Sequence, residues 1–274
     1  MIRLFDAHNH LQDPRFGVPP ARLIEEAHTV GVIKMVVNGS CEDDWNQVAD
    51  LARSHSGVVP SFGYHPWYVH ERTPGWLEVL TCLLDSVPAS VIGEIGLDRW
   101  RFEHTFTDQE PVFVAQLQLA RARELPVSIH CLQAWGRMYE LLRQTPLPAA
   151  GFLLHSYGGP VEMVPGFVKL GAYFSFPGYF MHERKRRHRE TFRAIPRERL
   201  LIETDAPDQA GPAESFEFHL PQVEGAGCLN HPGNLRSIHR FLASWLGTTE
   251  SLLAADLEEN FTRLFGHRSC KTRV

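Results

Sequence analysis

Short apolar runs alternate with longer amphipathic stretches along most of the chain. The runs near 2–7, 32–38, 58–63, 90–95, 126–130, 152–155, 172–176 and 200–204 are too short for helices and rich in Val, Ile, Leu and Phe, so they predict strands. Ala21 to Val30, Asp44 to Ser54, Gly75 to Leu84 and Thr107 to Glu124 repeat apolar residues at three- and four-residue spacing, which predicts helices. Weaker helical stretches follow near 134–145, 159–169 and 183–194. A loop rich in Pro, Gly and Glu spans 206–231, and helices near 232–245 and 249–258 follow it. Such alternation predicts parallel strands joined by crossover helices. The expected fold is α/β, a (β/α)8 TIM barrel forming a single domain over 1–274. An open doubly wound sheet fits the same alternation and is the structural alternative.

Composition changes this picture little. With 274 residues, 43% hydrophobic and 22% charged, the chain reads as an ordinary soluble globular protein. A net charge of −5 provides no global basic field toward nucleic acid, although a locally cationic site remains able to receive a phosphate. Cys41, Cys82, Cys131, Cys228 and Cys270 are odd in number and lack a CxxC pair, which predicts reduced thiols and a cytoplasmic location. Neither a signal peptide nor a run of about 18 apolar residues is visible, so no membrane association is expected.

The fifteen histidines do change it, through their placement. The first strand runs into Asp6-Ala7-His8-Asn9-His10, and residues two apart on an extended chain point to one side. Both imidazoles can therefore face one cation. Further predicted strands end in Gly93-Glu94-Ile95-Gly96-Leu97-Asp98, Ser128-Ile129-His130, Leu154-His155-Ser156 and Glu203-Thr204-Asp205. A carboxylate or imidazole after an apolar run is costly unless paired or metal-bound. In a parallel barrel all strand C-termini share one face, so His8, His10, Glu94, His130, His155 and Asp205 are expected to meet there as a metal site.

Together with Gly63-Tyr64-His65-Pro66, the Gln109 to Ala120 segment, His155-Ser156-Tyr157-Gly158-Gly159, Asn230-His231-Pro232 and Asn260 to Phe265, these motifs resemble the TatD-related family of metal-dependent deoxyribonucleases, within the amidohydrolase superfamily. The resemblance runs from the first strand nearly to the C-terminus. It implies two divalent ions (Mg, Mn, Zn, Ni or Co): His8, His10 and Asp205 on one, His130 and His155 on the other, and Glu94 bridging. A carboxylate can span ions about 3.5–4 Å apart. It further implies hydrolysis of phosphodiesters in DNA by a metal-activated water, with 3′–5′ exonuclease character on single strands and Asp205 as general base.

Several expectations accompany that reading. His65 is expected to donate to a phosphate or leaving group, with a turn-positioning role as the plainer reading. Glu203 is expected to support Asp205 or face substrate, with a barrel-interior ion pair as its alternative. Trp67, Trp100 and Trp135 follow strands, where they either stack on bases or pack loops. The basic run His182 to Arg189 is either a phosphate contact or a solvated helix face. Many relatives carry an arginine two residues after the fifth-strand histidine, where this chain has Leu132. That departure keeps open a small phosphate ester, amide or lactone as substrate. A non-catalytic binding barrel is a third reading, which expects a lost ligand. The expected partner is DNA or a small phosphorylated molecule, with no obligate protein partner.

Overall fold

The computed structural model describes residues 2–101, 106–221 and 228–266. Its strands are β1 (Leu4–Asn9), β2 (Val32–Asn38), β3 (Val58–Phe62), β4 (Val91–Asp98), β5 (Val127–Leu132), β6 (Phe152–Leu154), β7 (Ala172–Phe176) and β8 (Leu200–Ile202). Each pairs in parallel with the next, in the order β1 to β8. β8 then returns to β1: Asp205 N donates to His8 O at 2.9 Å and His10 N to Ala206 O at 2.8 Å. The Asp6 carboxylate adds a side-chain bridge across the same seam, accepting from Thr204 N at 2.9 Å. Sequential strand order with first and last strands adjacent makes this a (β/α)8 barrel and rules out the doubly wound sheet.

Alternation along the strands builds two apolar regions. Leu4, Met35, Val37, Phe62, Ile92, Val127, Ile129, Phe174 and Ile202 face outward and are covered by helices. Phe5, Val36, Val59, Val91, Leu153, Tyr173 and Leu201 form a second cluster, drawing on β1, β2, β3, β4, β6, β7 and β8. Side chains from so many strands meet only inside the barrel, where Phe261 and Leu264 close the lower end. Two strands depart from regular pairing: β1 between Asp6 and Asn9, and β4 between Ile92 and Ile95. Such irregularities re-aim side chains, and these two strands carry His8 and Glu94. Gly96 in β4 lies so close to β5 that a Cβ there would sit 1.9 Å from His130 O, which requires glycine.

The covering helices are α1 (Pro20–Thr29), α2 (Glu42–Ser54), α3 (Trp76–Ser86), α4 (Phe106–Arg123), α5 (Trp135–Gln144), α6 (Val164–Lys169), α7 (Arg186–Thr191), α8 (Leu235–Leu246) and α9 (Glu250–Phe265). The stretches expected over 159–169 and 183–194 shorten to α6 and α7, each preceded by a single 3-10 turn. Gly158, Gly159 and Pro160 delay the start of the first. α9 instead runs past its expected end at 258. Buried Asn260 continues the helix because its Nδ2 donates to Arg197 O at 2.7 Å and Leu200 O at 2.9 Å, so a residue of low helix propensity serves as a tertiary tie. Residues 222–227 of the predicted long loop, and Cys270, lie outside the described residues, within which Cys41, Cys82, Cys131 and Cys228 are free thiols.

Candidate metal centre

Glu94 stands at the centre of the upper barrel, buried, with imidazoles on both of its oxygens. Its Oε2 lies 3.2 Å from both His8 Nε2 and His10 Nε2. Its Oε1 lies 2.7 Å from His155 Nε2, 3.1 Å from His130 Nδ1 and 3.5 Å from His65 Nε2. Asp205 Oδ1 is 3.6 Å from both His8 Nε2 and His10 Nε2. All six residues expected at the strand ends therefore converge, and His65 joins them.

The outer contacts fix which ring nitrogens carry protons. His10 Nδ1 meets Asn38 O at 2.8 Å, and a carbonyl only accepts, so Nδ1 is protonated and Nε2, which faces the cluster, is the nitrogen that can exchange its proton for a cation. His130 Nε2 meets the Asp98 carboxylate at 3.0 Å, which likewise leaves Nδ1, toward Glu94, as the nitrogen that can bind a cation. His8 Nδ1 contacts Ser128 Oγ at 2.9 Å. In neutral rings lone pairs would then oppose one another: His8 Nε2 and His10 Nε2 are 3.3 Å apart, and His130 Nδ1 and His155 Nε2 3.2 Å apart. Such pairs repel unless a proton or cation lies between them. Ligands about 2.0–2.2 Å from one ion are themselves roughly 3 Å apart, so the donor set fits divalent metal. His65 differs, because its Nδ1 accepts from Trp67 N at 3.1 Å. Its Nε2 therefore holds the proton and presents a donor to the cavity.

Charge agrees with this arrangement. Burial alone would raise Glu94, yet the positive field of His155, His65 and His8 holds it well below the ordinary carboxylate range. Burial pushes His8 and His65 down to about 4. For His10 burial acts downward too, but Glu94 and Asp205 raise it to about 9. Without a cation the carboxylates hold protons on selected imidazoles, a role metal takes over when it binds.

Supporting residues surround the cluster. Asp98 was read only as part of a strand end, but it is buried and holds His130. It also accepts from Trp67 Nε1 at 2.7 Å, Trp100 N at 2.7 Å and Arg101 N at 3.1 Å. From α4, Gln109 and Gln116 clamp the backbone of Asp98 and Tyr64 respectively: their Oε1 atoms accept at 2.8 and 2.7 Å. Two buried glutamines seven residues apart share a helix face, and that spacing was the available signal. Gln209 Nε2 donates to Asp205 Oδ2 at 2.9 Å and leaves Oδ1 for the cluster. Glu203 is buried beneath His155, its oxygens accepting from Ser156 and Ser175. Of the tryptophans, Trp67 and Trp100 line the cavity, whereas Trp135 packs on Tyr157 with ring centroids 4.6 Å apart.

Above the cluster opens a cavity of about 970 Å³. The sequence profile of a family described as TatD related DNase matches residues 5–266. The chain belongs to this family. Among TatD relatives, the 3′-5′ ssDNA/RNA exonuclease TatD of Klebsiella pneumoniae (strain 342) is 32% identical, covering 96% of this chain and 98% of its own. The metal-dependent hydrolase YjjV of Escherichia coli (strain K12) is 30% identical over 82% of this chain and 87% of its own. The crystal structure of that TatD homologue superimposes with a TM-score of 0.86 at 26% identity, covering 97% and 99% of the two chains. TatD family membership and the donor set make this chain a metal-dependent hydrolase that uses divalent metal. No helix among the described residues is long and apolar enough to cross a membrane.

Proposed function

We propose that the chain is a cytoplasmic deoxyribonuclease that removes nucleotides from the 3′ end of single-stranded DNA, acting as one barrel domain over 1–274. The observation that carries the reading is the set of imidazole nitrogens that face the Glu94 carboxylate, with the outer nitrogens of His10 and His130 already engaged by Asn38 O and Asp98. His8, His10, Glu94 and Asp205 would hold one ion, and Glu94, His130 and His155 would hold a second. The exonuclease activity in the name of the Klebsiella relative supports the substrate class.

When bound, the ions supply an acidified water and offset charge developing on a phosphoryl oxygen. Asp205 takes the proton of the attacking water, its carboxylate oriented by Gln209. The phosphorus gains that oxygen and loses the bond to the leaving alcohol. The departing oxygen takes up the proton that Asp205 received, while His65, with its proton on Nε2, hydrogen-bonds that oxygen. Asp98 keeps His130 in the required tautomer, and Glu203 holds the Ser156 turn beneath the cluster.

Asp205→Asn is expected to lower turnover of a labelled single-stranded oligonucleotide by roughly 10²–10⁴-fold, while circular dichroism and the unfolding midpoint stay near wild type. Near-normal cleavage by the variant, or cleavage surviving chelation, rejects the assignment. Wild type that holds metal yet ignores oligonucleotides and cleaves a small ester would move the substrate to that class.

A further inference from the structure

Five basic side chains rim the cavity: Arg15, His182, Arg184, Lys185 and His188. They are not equivalent. Arg15 is neutralised, since its guanidinium donates to Asp208 at 2.9 and 2.6 Å and to Asp13 at 2.6 Å. Arg184 and Lys185 make no ion pair with a carboxylate among the described residues. Both instead rest on the Tyr179 ring, at 5.2 and 4.7 Å from its centroid. Their charge remains available to the cavity, beside a cluster whose own carboxylates are already engaged.

The turn that carries them is built in advance. Arg189 is buried, and its guanidinium donates to Met181 O at 2.8 Å and His182 O at 3.3 Å. The same group holds the Glu183 carboxylate at 2.8 Å, occupying the one acid of the run 182–189. One buried cation thus orders the backbone and removes the local competitor for Arg184 and Lys185. Arg186 and Arg187 belong to the same run but are exposed and do not line the cavity. Two uncompensated cations on an ordered turn, next to a centre that handles one phosphate, fit a second anion on the same substrate. A polynucleotide supplies it with every additional linkage, whereas a small diester has only the phosphate that is cut.

We propose that Arg184 and Lys185 form a subsite for the phosphate adjacent to the scissile one, with Arg189 as the residue that positions them. The subsite explains how a chain of negative net charge, with Leu132 also lining the cavity, selects strands over small esters. It rests on the phosphodiesterase reading above.

The test compares wild type, Arg184→Gln/Lys185→Gln and the equally charged control Arg186→Gln/Arg187→Gln. Substrates are a single-stranded oligonucleotide and bis(4-nitrophenyl) phosphate, which has no adjacent phosphate. The first double variant is expected to raise KM for the oligonucleotide at least about tenfold, and its loss on the small diester should be at least tenfold smaller. Its slope of log kcat/KM against log salt should flatten by about 1–2, as for lost phosphate contacts. A methylphosphonate at the adjacent linkage should reproduce the loss in wild type and add little to it in the variant. Equal losses on both substrates, a loss shared by the control, or an unchanged oligonucleotide KM each overturn the subsite while leaving the nuclease reading intact. Wild type that hydrolyses the small diester but no oligonucleotide overturns both.

Discussion

The lower and upper halves of the barrel interior are made by the same strands, yet they solve different problems. Below, Phe5, Val59, Val91, Leu153, Tyr173 and Leu201 fill the space with apolar volume, capped by Phe261. Above, the inward positions become Ser128 and His130 on β5, His155 after β6, Ser175 on β7, and Glu203 and Asp205 after β8. The lower half gains free energy from burial at roughly 25 cal/mol per Å². The upper half places charge where burial opposes it, and each group persists through a specific partner. Stability and chemistry are therefore expected to separate along the barrel axis.

The largest effects test that separation directly. Phe5→Ala opens a cavity beside Phe261 and is expected to lower unfolding free energy by about 3–5 kcal/mol, read from urea midpoints, with turnover per folded molecule little changed. Glu94→Ala is expected to do the reverse: turnover falls by at least about 10³-fold, with a much smaller shift in midpoint. If Glu94→Ala unfolds the protein as badly as Phe5→Ala, the upper half is structural as well and the contrast fails.

A smaller effect should appear where the halves meet. Ser128 Oγ holds His8 Nδ1 from below. Ser128→Ala is expected to weaken divalent-metal affinity by about 10–100-fold, measured by competition with a chromophoric chelator, at a stability cost of about 1 kcal/mol. Unchanged affinity would mean that the serine only fills space.

An effect visible only at acid pH comes from a buried polar group far from the cluster. His239 on α8 is fully buried, and burial, with Arg236 beside it, pushes its pKa from 6.5 down to about 4. Above pH 6.5 both folded and unfolded forms are neutral and its contribution is complete. As pH falls from 6.5 toward 4, the unfolded chain binds a proton that the folded one refuses, so stability declines. His239→Phe should remove that decline, roughly 2–3 kcal/mol over the window, seen as the difference between variant and wild-type midpoints at pH 7 and pH 5. An identical pH dependence in both proteins would dismiss the role.

How much of this was legible depends on the range of the interaction. Apolar periodicity is local, so the strands and the main helices could be read from spacing alone, whereas the choice of barrel over open sheet needed the β8–β1 contacts. The six cluster residues were legible because each ends an apolar run and a parallel barrel brings all strand ends to one face. The partners of Asp98, Gln109, Gln116 and Gln209 were not, since a polar residue looks the same in the sequence whether it is solvated or holds a distant group.

The sequence by itself determined the period of each element, the positions of the chemical groups and their convergence on one face. Tertiary structure alone decided which ring nitrogen of His10, His65 and His130 carries the proton, because Asn38 O, Trp67 N and the Asp98 carboxylate come from other elements or turns. It also decided the irregularities in β1 and β4 that aim His8 and Glu94, and it separated neutralised Arg15 from the open charges of Arg184 and Lys185. Side-chain periodicity is a property of the backbone itself. A proton's position or a charge's availability depends on the partner that folding brings within about 3 Å.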